Sequence, residues 1–204
     1  MSVSLPHPII LCVSAPSGAG KTTLCQKLLE EFKDITYSVS VTTRAPRLGE
    51  VDGVHYEFIS RDEFLSRVEK GDFLEYAEVH GNLYGTSWQR VAEVFEKEKS
   101  VLMDVDVQGA KSIRSALEQS AKGKKMKSFY HDIFISPPDL DTLRNRLENR
   151  GQDEQEIIER RLKNAKTEMK ESDQYKFQVV NDDLPKAYDQ LRSIYQACTL
   201  TTTP

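Results

Sequence analysis

The chain has 204 residues, 28 basic and 32 acidic side chains, a net charge of −4 and an apolar fraction of 38%. That length fits one ordinary domain, or a core with insertions, and the acidic balance speaks against a duplex nucleic acid partner. A mean hydropathy of −0.54, with no run near the roughly 20 apolar residues that cross a bilayer, speaks against a membrane span.

The start, Met1 through Pro6, lacks a basic segment followed by a long apolar one, so no secretory signal is expected. Residues 1–7 and 199–204 are polar or proline-bearing and are expected to be poorly ordered. Residues 9–13 form a short apolar run with β-branched members and read as a buried strand. Residues 21–32 place Leu24, Leu28, Leu29 and Phe32 at helical spacing. Residues 39–88 are rich in Thr, Tyr, Gly and Arg, and their short alternating runs predict a small β-rich insertion. Residues 101–106 read as a second buried strand that turns acidic at its end. The lysine-rich stretch 122–127 reads as a solvated loop. Residues 133–136, stopped by Pro137 and Pro138, and 177–180 complete the strands. Between them, 140–171 is charged and helical with a break at 149–153. Residues 184–195 close with a helix carrying Ala187, Leu191, Ile194 and Tyr195. Strands alternating with helices predict an α/β fold with a parallel sheet covered on both faces. Cys12, Cys25 and Cys198 share no metal or redox spacing and read as buried free thiols, with the cytoplasm as the default location.

Chemistry first appears between the first strand and the first helix. Ala15-Pro16-Ser17-Gly18-Ala19-Gly20-Lys21-Thr22-Thr23 is a P-loop with Ala15 where the pattern usually begins with glycine. Glycines let successive N–H groups curl around phosphates, and the following helix adds its N-terminal dipole. Lys21 is expected at the β- and γ-phosphates of ATP and the Thr22 hydroxyl on Mg²⁺. Alanine at position 15 would cost about 1 kcal/mol or more if the backbone there had positive φ. Asp104 and Asp106, at the acidic strand end, suit either Mg²⁺, directly or through water, or the capping of a helix at Gly109.

The acceptor is named by a second segment. Ser38-Val39-Ser40-Val41-Thr42-Thr43-Arg44-Ala45-Pro46-Arg47-Leu48-Gly49-Glu50, followed by Gly53 and Tyr56, closely resembles the guanylate kinase signature. The resemblance continues through Phe73-Leu74-Glu75-Tyr76, Gly81-Asn82-Leu83-Tyr84-Gly85-Thr86, Asp104 to Gly109, Ile135-Ser136-Pro137-Pro138 and Asn181-Asp182-Asp183. It implies a P-loop nucleoside monophosphate kinase fold: a core of 8–37, 90–136 and 172–198, a GMP-binding region of 38–89 and a helical lid of 137–171. It also implies the reaction ATP + GMP = ADP + GDP with Mg²⁺, and no nucleic acid or membrane partner.

The residue types suit that reading. Arg44 and Arg47 can fork around the acceptor phosphate, and Tyr56 and Tyr84 can donate to it. Glu75 can accept together from the adjacent N1–H and N2 amino donors of guanine, where adenine presents an unprotonated N1. Ser40 and Thr86 can donate to the guanine O6, with Gly85, Asp104 and Asp106 beside them. A site built to hydrogen-bond its substrate discriminates by about 10⁴ or more. Arg146, Arg150 and Arg161 match the lid arginines of the family, expected over the ATP phosphates, and Asn181 with Asp182 matches the adenine contact. Two other readings compete: a non-catalytic guanylate-kinase-like binding module, which typically lacks a working cradle and lid arginines, and a related kinase for another phosphorylated sugar or nucleotide.

Overall fold

The computed structural model describes residues 6–79, 81–149 and 154–200. Residues 1–5, His80, Arg150 with the rest of the expected 149–153 break beyond Asn149, and residues 201–204 therefore lie outside the described residues. Strand β1 (Ile10–Ser14) is buried along its whole length and runs into the P-loop segment and then helix α1 (Lys21–Glu31). After β2 (Ile35–Tyr37), the chain forms β3 (Ser40–Thr42), β4 (Tyr56–Phe58), α2 (Arg61–Glu69), β5 (Phe73–Val79), β6 (Asn82–Ser87) and α3 (Trp88–Phe95). It continues through β7 (Ser100–Asp104), α4 (Val107–Gln119), α5 (Ala121–Met126) and β8 (Tyr130–Ser136). Helices α6 (Leu140–Asn149) and α7 (Gln155–Glu168), strand β9 (Phe177–Val180) and helix α8 (Leu184–Leu200) complete it.

Five strands form one sheet in the order β2-β7-β1-β8-β9, and every pair in it is parallel. Because side chains alternate along a strand, Leu11 and Val13 of β1 pack on one face against Leu24, Leu28, Leu191 and Tyr195. Ile10 and Cys12 pack on the other, against Met103, Ile113 and Phe134. Burial pushes the Cys12 and Cys25 thiols up to about 12, which makes them inert filling rather than nucleophiles.

The β-rich segment is a second sheet of order β4-β3-β6-β5, in which β3 and β4 are parallel and the other pairs antiparallel. Val41, Phe64, Phe73 and Leu83 give it a small core with α2, a helix that the alternating pattern had hidden. Leu74 and Trp88 instead join the main core, anchoring this sheet to the body. Helices α6 and α7 share a further cluster of Leu143, Leu147, Ile158 and Leu162.

Three expectations need correction. The lysine-rich stretch is not a solvated loop. Ser120 ends α4, and its hydroxyl accepts from the Gly123 N–H, starting α5 at once. The second acidic strand stops at Asp104, and Asp106 is the N-cap of α4, accepting from Gly109 N–H at 2.7 Å. Of the ends expected to be poorly ordered, His7 and Thr199 are tied to each other, the His7 N–H donating to the Thr199 carbonyl at 3.0 Å, and residues 1–5 and 201–204 lie outside the described residues.

One side chain of β8 couples this packing to pH. His131 is half-buried, and neither of its ring nitrogens meets a protein partner among the described residues. Burial, helped by the charges of Lys176 and His7 and opposed by Asp132, lowers its pKa to about 4. The folded state thus favours the neutral ring, and this contribution is intact above about pH 6.5 and lost as pH falls toward 4. Thermal unfolding of a His131→Phe variant should show a shallower loss of Tm between pH 6.5 and 4.5 than the parent. Parallel curves would remove His131 from the acid response.

Candidate active site

In a parallel sheet, ligands gather outside the carboxyl ends of the strands where the order reverses, here around β1 between β7 and β8. The loop from β1 to α1 lies at that point. Gly18 and Gly20 adopt φ of 94° and 93°, which let the backbone curl, and the Ala19 N–H closes a turn onto the Pro16 carbonyl at 3.0 Å. Among the described residues only Glu98 combines a side chain with positive φ, so Ala15 carries none of the feared strain. The first turn of α1 holds Lys21, Thr22 and Thr23, has no acidic residue, and has no side-chain cap at Gly20. Its free N–H groups and dipole favour an anion.

Both glycines are also points of close approach. A Cβ on Gly18 would stand 2.9 Å from Leu143 of α6, and one on Gly20 only 2.3 Å from Nδ2 of Asn181. Asn181 is 4% exposed, and its Nδ2 donates to the Ala19 carbonyl at 2.7 Å. It therefore clamps the loop from behind, a contact across the sheet that its place after the last strand did not reveal. Arg146 donates through Nη2 to the carbonyls of Asn181 (2.8 Å) and Asp182 (3.3 Å). Gly18, Gly20, Thr23, Arg146, Asn149 and Asn181 line a cavity of about 410 Å³, and Asn149 is an addition to the expected set. Arg161 is half-buried on α7.

Lys21 reaches across to β7, lying 2.5 Å from Asp104 and donating to the Val105 carbonyl at 2.9 Å. Tyr37, which the sequence reading passed over, ends β2 beside them. Although the residue is 44% exposed, burial of part of the side chain, followed by the Asp104 charge, raises its phenol well above the usual range, and Tyr56 adds to the effect.

On that sheet Arg44, Tyr56 and Tyr84 are gathered. The Arg44 guanidinium lies 5.3 Å from the Tyr56 ring centre, and the Tyr56 and Tyr84 rings are 6.0 Å apart. Arg44 also pairs with Glu50 at 2.8 Å, while the Arg47 side chain is exposed. Further in, a β-bulge between Phe73 and Glu75 shifts the register so that Glu75 faces Thr86. Gly85 admits this because a Cβ there would meet the Phe73 ring at 2.8 Å and the Glu75 carbonyl at 2.9 Å. Thr86 is 1% exposed and lies 2.9 Å from Glu75 Oε1. An ionised carboxylate only accepts, so in this structure the single Thr86 proton goes to Glu75 and the hydroxyl is left as an acceptor, unlike the expected donor to O6. Burial raises the Glu75 pKa, the Thr86 bond opposes this, and nearby Asp106 adds to it. Ser40 is half-buried on the adjoining β3. A larger cavity of about 650 Å³ lies apart from these residues, walled by the ion-paired Glu57, Arg67 and Arg90.

Among the described residues no helix is long and apolar enough to cross a membrane. The guanylate kinase family model matches residues 6–198. The chain is 45% identical over 193 residues to the guanylate kinase of Nitratidesulfovibrio vulgaris, covering 95% of this chain and 88% of that one. The guanylate kinase of Neisseria meningitidis is 46% identical over 191 residues, with 94% and 88% covered. The crystal structure of guanylate kinase from Anaplasma phagocytophilum superposes with a TM-score of 0.70 at 33% identity, covering 98% of this chain and 91% of that one.

The Asn181 clamp is open to a direct check. Asn181→Asp is nearly isosteric but sets an acceptor against the Ala19 carbonyl, and should destabilise by about 1–3 kcal/mol. Its KM for ATP should rise in parallel. Unchanged unfolding and an unchanged KM would show that Asn181 does not hold the loop.

Proposed function

The chain belongs to the guanylate kinase family, and on that premise we propose how its residues divide the work of ATP + GMP = ADP + GDP. Membership fixes the reaction class, phosphoryl transfer between nucleotides by a nucleoside monophosphate kinase. The observation that carries the residue assignment is the arrangement around Asp104. Lys21 pairs with it from the P-loop side, and at nearby Tyr37 the Asp104 charge is, after burial, the next cause that raises the phenol, with Tyr56 of the second sheet adding to it. Two phosphate-suited clusters thus flank one carboxylate.

ATP is bound by residues 15–23, with Lys21 on its terminal phosphates and Asn181 with Asp182 on the adenine side. Asn181 acts there mainly through the loop that it clamps. GMP is bound on the second sheet: Arg44, Arg47, Tyr56 and Tyr84 take its phosphate, and Glu75 with Ser40 and Thr86 reads guanine. With its proton on Glu75, Thr86 offers an acceptor to the guanine amino group, so selection against adenine rests on Glu75 and Thr86 together. Asp106 supports this edge through its place beside Glu75, while its carboxylate also caps α4. Arg146, Arg161 and Arg150 (the last outside the described residues) supply positive charge around the transferring group, where positioning and charge neutralisation carry the rate.

The donor chemistry fits Mg²⁺. The Thr22 hydroxyl and the Asp104 carboxylate are hard oxygens, and no group of three or more candidate ligands exists among the described residues. Such a sparse set suits an ion that keeps its waters and is shared with substrate phosphates. When bound, Mg²⁺ would neutralise phosphate charge, and Asp104 would exchange its Lys21 partner for that ion or its waters. The domain division proposed is a core of 8–37, 90–136 and 172–198, an acceptor region of 38–89 and a lid of 137–171. That Cys12, Cys25 and Cys198 are buried thiols rather than disulfides supports a cytoplasmic location.

A coupled assay of ADP release with GMP, AMP, CMP and UMP as separate acceptors tests the reading. GMP alone should exceed the no-acceptor control strongly; a rate at the control level would sink it. Glu75→Gln should raise the KM for GMP about 100-fold or more while changing that for ATP by less than about threefold. Equal losses for both substrates would remove Glu75 from base recognition.

A further inference from the structure

Glu50 has no role in the reading so far, yet it is the most heavily engaged side chain around Arg44. Its Oε1 accepts from Arg44 Nη2 at 2.8 Å, and its Oε2 accepts from the Arg47 main-chain N–H at 2.7 Å. Its own N–H donates back to the Arg47 carbonyl at 3.0 Å, closing a turn that Gly49 completes with φ of 88°. Arg44 in turn donates Nη1 to the Ala45 carbonyl at 2.8 Å and lies over the Tyr56 and Phe58 rings at 5.3 and 5.8 Å. Two of the five guanidinium N–H donors are thus fixed on one side, leaving three for a ligand.

We propose that Glu50 is a positioning residue of the acceptor-phosphate site, holding Arg44 and the 44–50 loop in the conformation that receives the phosphate of GMP. This rests on the reading of Arg44 and Arg47 as ligands of that phosphate. The competing idea is that Glu50 is a stand-in anion that takes the place of the phosphate and leaves when GMP arrives. The two predict opposite signs. A stand-in anion repels the incoming phosphate, so its removal would tighten GMP binding; a positioning residue would weaken binding on removal. The geometry favours positioning, because half of the carboxylate is committed to the main chain of its own turn rather than to the guanidinium. Its pKa, held at about 2 by Arg44 and by the Arg47 N–H, keeps it ionised throughout the working range.

The test uses Glu50→Ala, Glu50→Gln, Arg44→Ala and the double variant Arg44→Ala/Glu50→Ala of the full chain. Readouts are KM for GMP, KM for ATP, and the inhibition constant of guanosine, which carries the base but no phosphate. In Glu50→Ala the KM for GMP should rise about tenfold or more, while the ATP and guanosine values move by less than about twofold. Glu50→Gln should fall between, since it keeps an acceptor for Arg44 but turns an amide donor toward the Arg47 N–H. The double variant should lose less than the sum of the two single losses, because the part of Glu50 that acts through Arg44 is then already gone while its hold on the Arg47 turn remains. An unchanged or lowered KM for GMP in Glu50→Ala, additive losses in the double variant, or an equal loss for guanosine would overturn the proposal. If Arg44→Ala itself leaves the KM for GMP unchanged, the phosphate-site reading fails first, and that failure is visible independently of Glu50.

Discussion

Lys21, the first residue of α1, and Asp104, the last of β7, lie 2.5 Å apart, with side chains 19% and 17% exposed. This pair states the constraint under which the whole cleft is built. A kinase joining two phosphorylated substrates needs several cations within a small volume, and a half-buried cation without a partner is destabilising. The chain meets that need with internal acceptors: Asp104 and a carbonyl for Lys21, Glu50 for Arg44, and two carbonyls for Arg146. Binding then becomes an exchange of acceptors, so affinity is set by the difference between phosphate and the internal partner rather than by the full strength of either contact.

These internal acceptors are not equivalent. Asp104 belongs to a strand end and suits a hard cation, so releasing Lys21 gives it another task. Glu50 is bound to the main chain of its own turn and stays where it is. Carbonyls at Asn181 and Asp182 are fixed by the sheet and by the Asn181 amide, which itself holds the P-loop. One set of contacts is therefore replaceable and another is scaffolding, although all of them look alike as hydrogen bonds at 2.5 to 3.3 Å.

What the sequence disclosed and what it hid divide along the same line. The apolar strands, the P-loop and the α1 helix are local patterns, and they stand close to where periodicity placed them. The parallel sheet followed from their alternation with helices. Hidden were the contacts made by folding. Asn181 meets Ala19 across 162 positions, and the bulge that turns Glu75 toward Thr86 exists only between paired strands. Helix α5 was masked by its lysines, because composition reports solvation whereas the Ser120 cap and the buried Gly123 decide the backbone. Glu50 lay inside the quoted signature, but its chemistry appears only once the turn brings its carboxylate back to Arg44. The doubt over Ala15 had the same origin: the pattern gives the residue, and only the backbone gives its φ.

The distribution of apolar side chains bears on how such a cleft can work. The main sheet, the α6–α7 pair and the second sheet with α2 each enclose an apolar cluster of their own. An element with its own core can be displaced without exposing the core of its neighbour, which is the condition for rigid-body closure. The second sheet is joined to the body through β5 packed on α4, and the lid helices through the P-loop. Leu74 and Trp88 carry the second sheet into the main core, and Leu143 and Leu147 rest on the P-loop only because Gly18 has no side chain. Gly18 therefore serves two requirements at once, a positive φ for the phosphate turn and a flat seat for α6. Any side chain there would disturb the ATP loop and the helix bearing Arg146 through the same atoms. Phosphate binding and the placement of that arginine are thus coupled by a missing methyl group.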